Sequence, residues 1–310
     1  MAGQEFSLIE RFFDWPVRHR LNRLGVGDDC ALCTIPEDHE LAVTTDTMVA
    51  GVHFFDNVPA DFLGHKLLAV NLSDLASMGA EPFAVTLALT LPGVDEAWLA
   101  SFSFGFMRLA KRFSVDLIGG DTTAGPLTLT LQAMGIVPKD QALRRDGARP
   151  GDLIYVTGSL GDGALGLKIL NGFQSSDPES VLRHFHCPEP RIKEGLALRG
   201  LATACIDVSD GLASDLGHIL EKSAVGATID YSNIPISRAL EEYIEQTGDW
   251  RLPLTGGDEY QLCFTVPPGK KHLLSIDCTK IGQIESEPGL RLQKQGLSES
   301  FQEKGFEHFS

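Results

Sequence analysis

Aspartate-containing clusters recur along this sequence at spacings that could bring several carboxylates together. They occupy residues 25–29, 44–46, 71–74, 119–123 and 207–210. Carboxylates that converge on one site repel each other, so such a site is costly unless cations neutralise it. Mg²⁺ is a hard cation that takes carboxylate oxygens from the protein and completes its shell with water and substrate phosphate. The clusters therefore predict a magnesium site, through which an acidic protein could bind a polyphosphate such as ATP.

The sharpest single case is the pair Asn71 and Asp74, which are three residues apart in an apolar segment with helical periodicity. This spacing puts both side chains on one helix face. A solvated stripe is the ordinary explanation for an isolated Asn/Asp pair. The neighbouring residues are small or apolar and include no Lys or Glu, whereas exposed helix faces are normally rich in long charged side chains. The composition therefore favours a functional role for this pair.

The other clusters also have ordinary structural explanations, because Asp is favoured in turns and at helix N-caps. Gly119 and Gly120 favour a functional role for their cluster, since a backbone without Cβ permits close approach to a phosphate. Asp207 and Asp210 bracket Ser209 at the start of a predicted helix, where backbone N–H groups and the helix dipole favour an anion. An N-cap would explain Asp210 but not Asp207.

Alternating strand and helix patterns position these clusters. Helical periodicity predicts helices over 61–79, 95–113, 162–170, 191–202, 212–223 and 238–247. Short apolar runs predict strands over 30–35, 41–44, 83–91, 115–118, 127–137, 153–156, 205–208, 227–231 and 260–266. The clusters at 44–46 and 119–123 then fall in loops after strands. A charged, turn-rich segment at 144–152 predicts a boundary between domains at 1–143 and 144–310.

The strand predicted at 127–137 alternates, yet both of its faces are fairly apolar. A sheet with two apolar faces must bury both, one under helices and the other against something else. We expect a second copy of the chain to supply the second cover.

The overall charge limits the classes of partner. The 310 residues include 26 Lys and Arg against 42 Asp and Glu, a net charge of −16, which argues against nucleic acid or an anionic membrane. The sequence contains neither a signal-peptide pattern nor an apolar run long enough for a membrane helix, so a cytoplasmic location is expected. The six cysteines are expected to be reduced thiols.

Three other patterns carry weaker signals. Residues 161–166 match G-x-G-x-x-G after a strand, but no parallel strand ending in an acidic residue follows promptly, which disfavours nicotinamide or flavin binding. Cys30 and Cys33 form a single C-x-x-C with no second pair, which does not indicate zinc. His53 lies in a glycine-containing loop, where it could reach a substrate or be merely exposed.

Read in order, the clusters GVGDD, TTDT, AVNLSDLASMGA, GGDTT, DVSDG and GGDEY resemble the thiamine-monophosphate kinase family over essentially the whole chain. That family belongs to the superfamily of ATP-dependent enzymes typified by aminoimidazole ribonucleotide synthetase. The resemblance implies an α/β (α+β) fold of two domains. It also implies a homodimer in which the N-terminal sheets of two subunits form a barrel, and a C-terminal α/β domain.

The resemblance also implies the site residues. The implied magnesium ligands are Asp29, Thr44, Thr45, Asp46, Asp74, Asp121, Asp207 and Asp210. The implied ATP contacts are Gly120, Asp121, Arg145 and Ser209, and the implied substrate contacts are His53, Asp258 and Phe306. Among these residues, the resemblance gives Asp74, Asp121 and Asp210 direct roles in catalysis.

Two departures from the family pattern affect the substrate contacts. The family pattern Gly-Gly-Glu-Asp-Tyr-Glu becomes GGDEYQ at 256–261, which leaves open whether Asp258 or Glu259 meets the substrate. Phe306 stands where a Tyr is expected, and it keeps an aromatic stacking face without the hydroxyl.

The activity implied is direct in-line transfer of the γ-phosphoryl of ATP to thiamine monophosphate, which gives thiamine diphosphate and ADP. The acceptor phosphate is already an anion, so this reaction needs no general base. Three alternatives stay open: a sister ATP-dependent synthetase that acts on another acceptor, a divalent-metal binder without activity, and a nicotinamide oxidoreductase.

Overall fold

A computed structural model describes residues 4–301 of the chain. These residues form two compact units. The N-terminal unit comprises the chain up to Leu75 together with Ala80–Asp140, and the C-terminal unit comprises Ala76–Gly79 and the chain from Gln141 onward. Phe306 lies outside the described residues.

The N-terminal unit is built on a four-stranded sheet. Its helices and strands are α1 (Gln4–Phe12), β1 (Asn22–Leu24), β2 (Leu32–Cys33), β3 (His39–Val49), α2 (Ala60–Ser77), β4 (Glu81–Leu91), α3 (Glu96–Phe113), β5 (Asp116–Ala124) and β6 (Thr128–Pro138). The strand order is β3-β6-β4-β5, with β4 and β5 parallel and the other pairs antiparallel. Strands β1 and β2 form a separate antiparallel pair.

Helix α2 is buried on almost every side, and Leu67, Leu68 and Leu72 have no exposed surface. A helix that is apolar all round belongs in an interior. Asn71 and Ser73 are therefore held within a protein interior, and Asp74 lies partly exposed at its edge.

The chain before β1 is fixed to the sheet by the buried carboxylate of Asp116. Its Oδ2 accepts hydrogen bonds from the backbone N–H groups of Arg18 and His19 and from Nδ2 of Asn22. Leu21 packs in the same region against Phe83 and other buried residues of the sheet. These contacts fix the start of the segment that carries Asp29.

The C-terminal unit contains a seven-stranded sheet of order β13-β12-β9-β11-β7-β10-β8, antiparallel except for the pair β12 and β9. Its strands are β7 (Leu153–Val156), β8 (Ala204–Val208), β9 (Gly226–Asp230), β10 (Gln261–Val266), β11 (Thr279–Glu285), β12 (Gly289–Lys294) and β13 (Leu297–Ser300). Its helices are α4 (Asp162–Leu170), α5 (Pro178–His186), α6 (Ile192–Ala197), α7 (Leu212–Ser223), α8 (Arg238–Thr247) and α9 (Leu252–Thr255), with 3₁₀ turns at Tyr231–Asn233 and Pro268–Leu273.

The core of this unit joins the sheet to α7. Ile154, Ile206 and Cys263 from three neighbouring strands pack with Leu216 and Ile219 of α7, and all five are buried. Every residue of β10 is buried, including the polar residues Gln261 and Thr265, as expected for a strand inside a covered sheet.

Several predicted elements are wrong in extent. Residues 44–46 and 119–123 are not loops, because they lie inside β3 and β5. Strand β3 pairs with β6 over eleven residues, and this ladder continues through polar positions that local composition assigns to a turn. The helix predicted over 191–202 is only Ile192–Ala197, and α1, β1, α9 and β11–β13 were not predicted at all.

Two further features are the apolar character of the helices and the state of the cysteines. No helix between residues 4 and 301 has both the length and the apolar character needed to cross a membrane. All six cysteines, which lie within that range, are free thiols.

Candidate active site

A partly buried carboxylate pair lies where β3 meets α2. Thr44 donates a hydrogen bond through Oγ1 to Oδ2 of Asp74. Asp46 follows two residues along β3 and therefore points to the same face of the sheet as Thr44. Burial, together with the negative charge of Asp74, raises the pKa of Asp46 to about 6. Two carboxylates that disfavour each other's ionisation are a donor set suited to a hard cation.

Asn71 lies one helical turn before Asp74 and is completely buried. Its Nδ2 donates to the carbonyl oxygen of Leu67, while its Oδ1 has no hydrogen-bond partner within residues 4–301. A solvated surface stripe is therefore the wrong explanation for Asn71. The polar face of α2 is an interior feature.

Asp121 is exposed and lies away from this pair. In the strand register, Asp121 pairs with Ala88, Ala88 with Thr130, and Thr130 with Thr47. Paired residues on neighbouring strands point to the same face, and Thr47 and Asp46 are consecutive. Asp121 therefore lies on the sheet face opposite Asp46. Thr45 points to that opposite face as well. Asp121 also lies on the edge strand β5, whereas Asp46 lies on the other edge strand.

Gly120 has a structural explanation that does not involve a ligand. A Cβ atom at this position would lie 1.9 Å from the carbonyl oxygen of Leu87 on β4. No side chain fits in that gap, so pairing of β4 with β5 already requires glycine. The close approach that the sequence suggested for a phosphate is occupied here by the neighbouring strand.

The predicted metal ligands are divided between the two units. Asp29, Thr44, Thr45, Asp46, Asp74 and Asp121 belong to the N-terminal unit, and Asp207 and Asp210 belong to the C-terminal unit. Across the described part of the chain, no group of three His, Cys, Asp or Glu side chains is arranged to hold a metal by itself. Asp29 is exposed, and its backbone N–H donates to Oδ1 of Asp28.

The segment that joins β8 to α7 is held by a residue that sequence reasoning missed. Oδ2 of Asp215 accepts the backbone N–H groups of Ser209, Asp210 and Gly211 at 3.0, 3.0 and 3.1 Å. Asp215 is only 2% exposed. The available signal was an Asp in the first turn of a predicted helix, where its charge complements the helix dipole.

This arrangement corrects one expectation. The backbone N–H groups at 209–211 were expected to favour a bound anion, but they already bind the carboxylate of Asp215. Burial and the charge of Asp210 raise the pKa of Asp215 to about 7, against the lowering effect of the three hydrogen bonds.

The segment 256–260 is tied to the same region. The N–H of Asp258 donates to the carbonyl oxygen of Ser209 at 2.8 Å, and the N–H of Tyr260 donates to that of Val208 at 2.7 Å. Tyr260 also donates its hydroxyl to Oδ1 of Asp258 at 2.8 Å. The segment that carries Asp258 is therefore fixed beside Ser209.

The two acids of this segment occupy different environments. Glu259 is 1% exposed, and its Oε1 accepts the N–H of Gly163 at 2.9 Å, whereas Asp258 is partly exposed. A Cβ atom at Gly163 would lie 2.5 Å from the carbonyl oxygen of Asp258. Close packing against Asp258 thus requires glycine at position 163. This glycine of the G-x-G-x-x-G segment is explained without a bound dinucleotide.

Arg145 and His53 complete the predicted set. Arg145 is exposed, and its carbonyl oxygen accepts from Oγ of Ser223. His53 follows β3 in a turn, and its Nδ1 accepts the N–H of Val49 at 3.0 Å. An accepting Nδ1 leaves the ring proton of the neutral imidazole on Nε2.

Comparisons with known proteins agree with this architecture. The family model for AIR synthase related protein, N-terminal domain, matches residues 27–137, and the model for AIR synthase related protein, C-terminal domain, matches residues 149–295. The thiamine-monophosphate kinase of Escherichia coli (strain K12) is 50% identical over 325 residues, which cover 100% of this chain and 99% of that protein. The chain belongs to the thiamine-monophosphate kinase family. The family resemblance predicted from the sequence is confirmed.

Other members of the thiamine-monophosphate kinase family agree. The thiamine-monophosphate kinase of Bacillus subtilis (strain 168) is 36% identical, with 98% of this chain and 99% of that protein covered. The crystal structure of thiamine-monophosphate kinase from Stenotrophomonas maltophilia K279a has a TM-score of 0.86 at 42% identity, covering 95% of this chain and 98% of that one. The complex of AaThiL with AMPPCP and TMP has a TM-score of 0.81 at 28% identity, covering 98% and 96%. The predicted two-domain aminoimidazole ribonucleotide synthetase-like fold is thereby confirmed.

Proposed function

We propose that this chain phosphorylates thiamine monophosphate with ATP, giving thiamine diphosphate and ADP. The observation that carries the proposal is the 50% identity to the Escherichia coli (strain K12) thiamine-monophosphate kinase over the full length of both chains. A structurally similar family member, AaThiL, has been solved with AMPPCP and TMP bound. The chain is thus an enzyme of thiamine diphosphate biosynthesis, a phosphotransferase with a phosphate group as acceptor.

The proposed mechanism is direct in-line transfer of the γ-phosphoryl group. The acceptor oxygen belongs to a phosphate that is ionised at neutral pH, so no side chain has to remove a proton from it. The protein then has to hold two polyanions, ATP and thiamine monophosphate, in line and to offset their repulsion. An acidic chain cannot do this with its own side chains alone, which is why the proposal includes a cation.

Several Mg²⁺ ions are proposed, and they would neutralise phosphate charge when bound. The fit of the donor set supports this proposal, since Asp46 and Asp74 are hard oxygen ligands and the charge of Asp74 disfavours ionisation of Asp46 in the absence of a cation. The proposed ligands are Asp29, Thr44, Thr45, Asp46, Asp74, Asp121, Asp207 and Asp210, of which Asp74, Asp121 and Asp210 take part in catalysis.

ATP is proposed to contact Gly120, Asp121, Arg145 and Ser209. The exposed guanidinium of Arg145 supplies a fixed positive charge for phosphate. Thiamine monophosphate is proposed to contact His53, Asp258 and Phe306. We favour Asp258 over Glu259 for this contact, because Asp258 is partly exposed whereas both oxygens of Glu259 face buried groups.

A homodimer is also proposed, with the open face of the four-stranded sheet as its contact surface. Leu41 and Val43 point away from α2 on β3 and are 47% and 52% exposed. Neighbouring apolar side chains on one sheet face favour a protein partner over water. The free thiols of all six cysteines support the proposed cytoplasmic location.

The first experiment incubates the purified chain with ATP, Mg²⁺ and thiamine monophosphate. Oxidation to fluorescent thiochromes and chromatography then separate the monophosphate from the diphosphate. We expect diphosphate to form, and EDTA to abolish it. Formation of ADP with a different acceptor, and none with thiamine monophosphate, would instead support a sister synthetase of the same fold.

A further inference from the structure

A buried acid and a partly buried histidine meet next to the backbone of Asp258. Oε2 of Glu259 lies 3.5 Å from Nε2 of His184 on α5. Neither atom has another hydrogen-bond partner within the described residues. The second oxygen of Glu259 accepts the N–H of Gly163 in the first turn of α4. One carboxylate thus joins the 256–260 segment to two helices.

The backbone on both sides of Glu259 is in an unfavourable conformation. Asp258 has φ of 65° and Tyr260 has φ of 52°, in the left-handed region that residues with a side chain seldom adopt. Such a conformation persists only when the surroundings enforce it. Hydrogen bonds to Ser209 and Val208 hold the backbone on one side, and the Glu259 side chain holds it on the other.

We propose that the Glu259–His184 pair positions the carboxylate of Asp258 for thiamine monophosphate. This inference rests on the proposed substrate role of Asp258. Glu259 fixes the backbone between two strained residues, and the hydroxyl of Tyr260 then orients Oδ1 of Asp258. Glu259 and His184 are positioning residues, since they would act on the substrate through Asp258.

Burial opposes the charge on both members of the pair, and their mutual contact favours it. Burial lowers the pKa of His184, but the hydrogen bond and charge of Glu259, together with the charge of Asp162, raise it by more. Burial raises the pKa of Glu259, and the contact with His184 lowers it in part. Removing one member of a buried ion pair leaves the other uncompensated. Loss of either Glu259 or His184 is therefore expected to loosen the 256–260 segment.

The test compares steady-state kinetics of the full chain with those of Glu259→Gln and His184→Gln, with Asp258→Asn measured alongside. For each of the two pair variants we expect the KM for thiamine monophosphate to rise about tenfold, while the KM for ATP changes less than about twofold. The double variant should be no worse than the more affected single variant, because the two residues act as one unit. Glu242→Gln, which breaks the exposed pair Arg238–Glu242 on α8, serves as the matched control and should leave both KM values unchanged.

A solely structural role would lower the thermal midpoint and affect both substrates alike. The proposal is overturned if neither pair variant changes the KM for thiamine monophosphate, or if both KM values change together. If Asp258→Asn alone has no effect, the substrate role of Asp258 is wrong and the positioning role is wrong with it. If Glu259→Gln does not fold, His184→Gln decides the question by the same criteria. Absence of kinase activity in the unaltered chain would instead refute the proposed function.

Discussion

At the scale of single residues, Asp46 and Asp74 form a pair of neighbouring carboxylates that is partly withdrawn from water. Asp46 has a raised pKa because it is partly buried and lies near a second carboxylate. Asp74 is bonded to Thr44 and lies on a helix with almost no exposed surface. A cation that joins the two would remove their repulsion, so metal binding and stability should be linked.

The first prediction concerns pH in the absence of metal. The pKa of Asp46 is about 6 in the folded chain against 3.8 normally. The folded chain binds a proton on Asp46 more tightly than the unfolded chain does. Protonated Asp46 therefore contributes its full share of the free energy of unfolding below about pH 4, and that share is lost as pH rises through about 6. With EDTA present, the wild type should lose up to about 3 kcal/mol of stability relative to Asp46→Asn between pH 4 and pH 7. Thermal unfolding of both proteins across this range measures the difference, and parallel curves would contradict the assignment.

The second prediction concerns turnover. Asp74→Asn should lower kcat by a factor of at least about 100, because neutralisation of phosphate charge is the main contribution of the site. The far-UV circular dichroism should be retained, since Asn is nearly isosteric and leaves the fold unchanged. Asp121→Asn should behave likewise, and Asp56→Asn, at an exposed position, is the control. Turnover of Asp74→Asn close to that of the wild type would refute its metal role.

At the scale of elements, the turn between β8 and α7 depends on a single carboxylate from the helix that it precedes. Asp215 accepts three consecutive N–H groups, of which those of Ser209 and Asp210 are partly buried and that of Gly211 is buried. This turn carries Ser209, and its carbonyl oxygens also receive the N–H groups of Asp258 and Tyr260. Loss of the turn should therefore affect the 256–260 segment as well.

The third prediction concerns the hydrogen bonds that Asp215 accepts from this turn. Asp215→Ala should destabilise the chain by about 2–4 kcal/mol, since it leaves buried donors unsatisfied. Asp215→Asn keeps an acceptor oxygen and should cost about 1 kcal/mol. Chemical denaturation measures both, with Asp230→Ala, which removes an exposed cap from a 3₁₀ turn, as the control. Equal losses in the Asn and Ala variants would mean that charge, rather than an acceptor, holds the turn.

At the scale of the whole molecule, the open sheet face leads to a prediction about assembly. The wild type should be a dimer at micromolar concentration, and the double variant Leu41→Lys, Val43→Lys should be a monomer, because charges would be buried between the sheets. Light scattering measures the mass. Leu297→Lys, on the exposed strand β13, should stay dimeric. A monomeric wild type would refute the proposed interface.

The sequence by itself determined the family and the main helices and strands. Short motifs such as NLSD and GGDTT can be recognised from residue type and spacing alone. Helices α2 and α3 can be predicted from the spacing of apolar residues along the chain. These signals lie within a few residues of each other, so they can be read without knowledge of distant partners.

Only the tertiary structure decided which of these residues meet. That residues 44–46 lie inside β3 depends on pairing with β6, more than eighty residues away, and the strand register then puts Asp46 and Asp121 on opposite faces. The burial of Glu259, the exposure of Asp258 and the three bonds of Asp215 likewise depend on distant or non-periodic contacts. Local composition cannot encode them, because burial and hydrogen bonding are set by whichever segments the fold brings together.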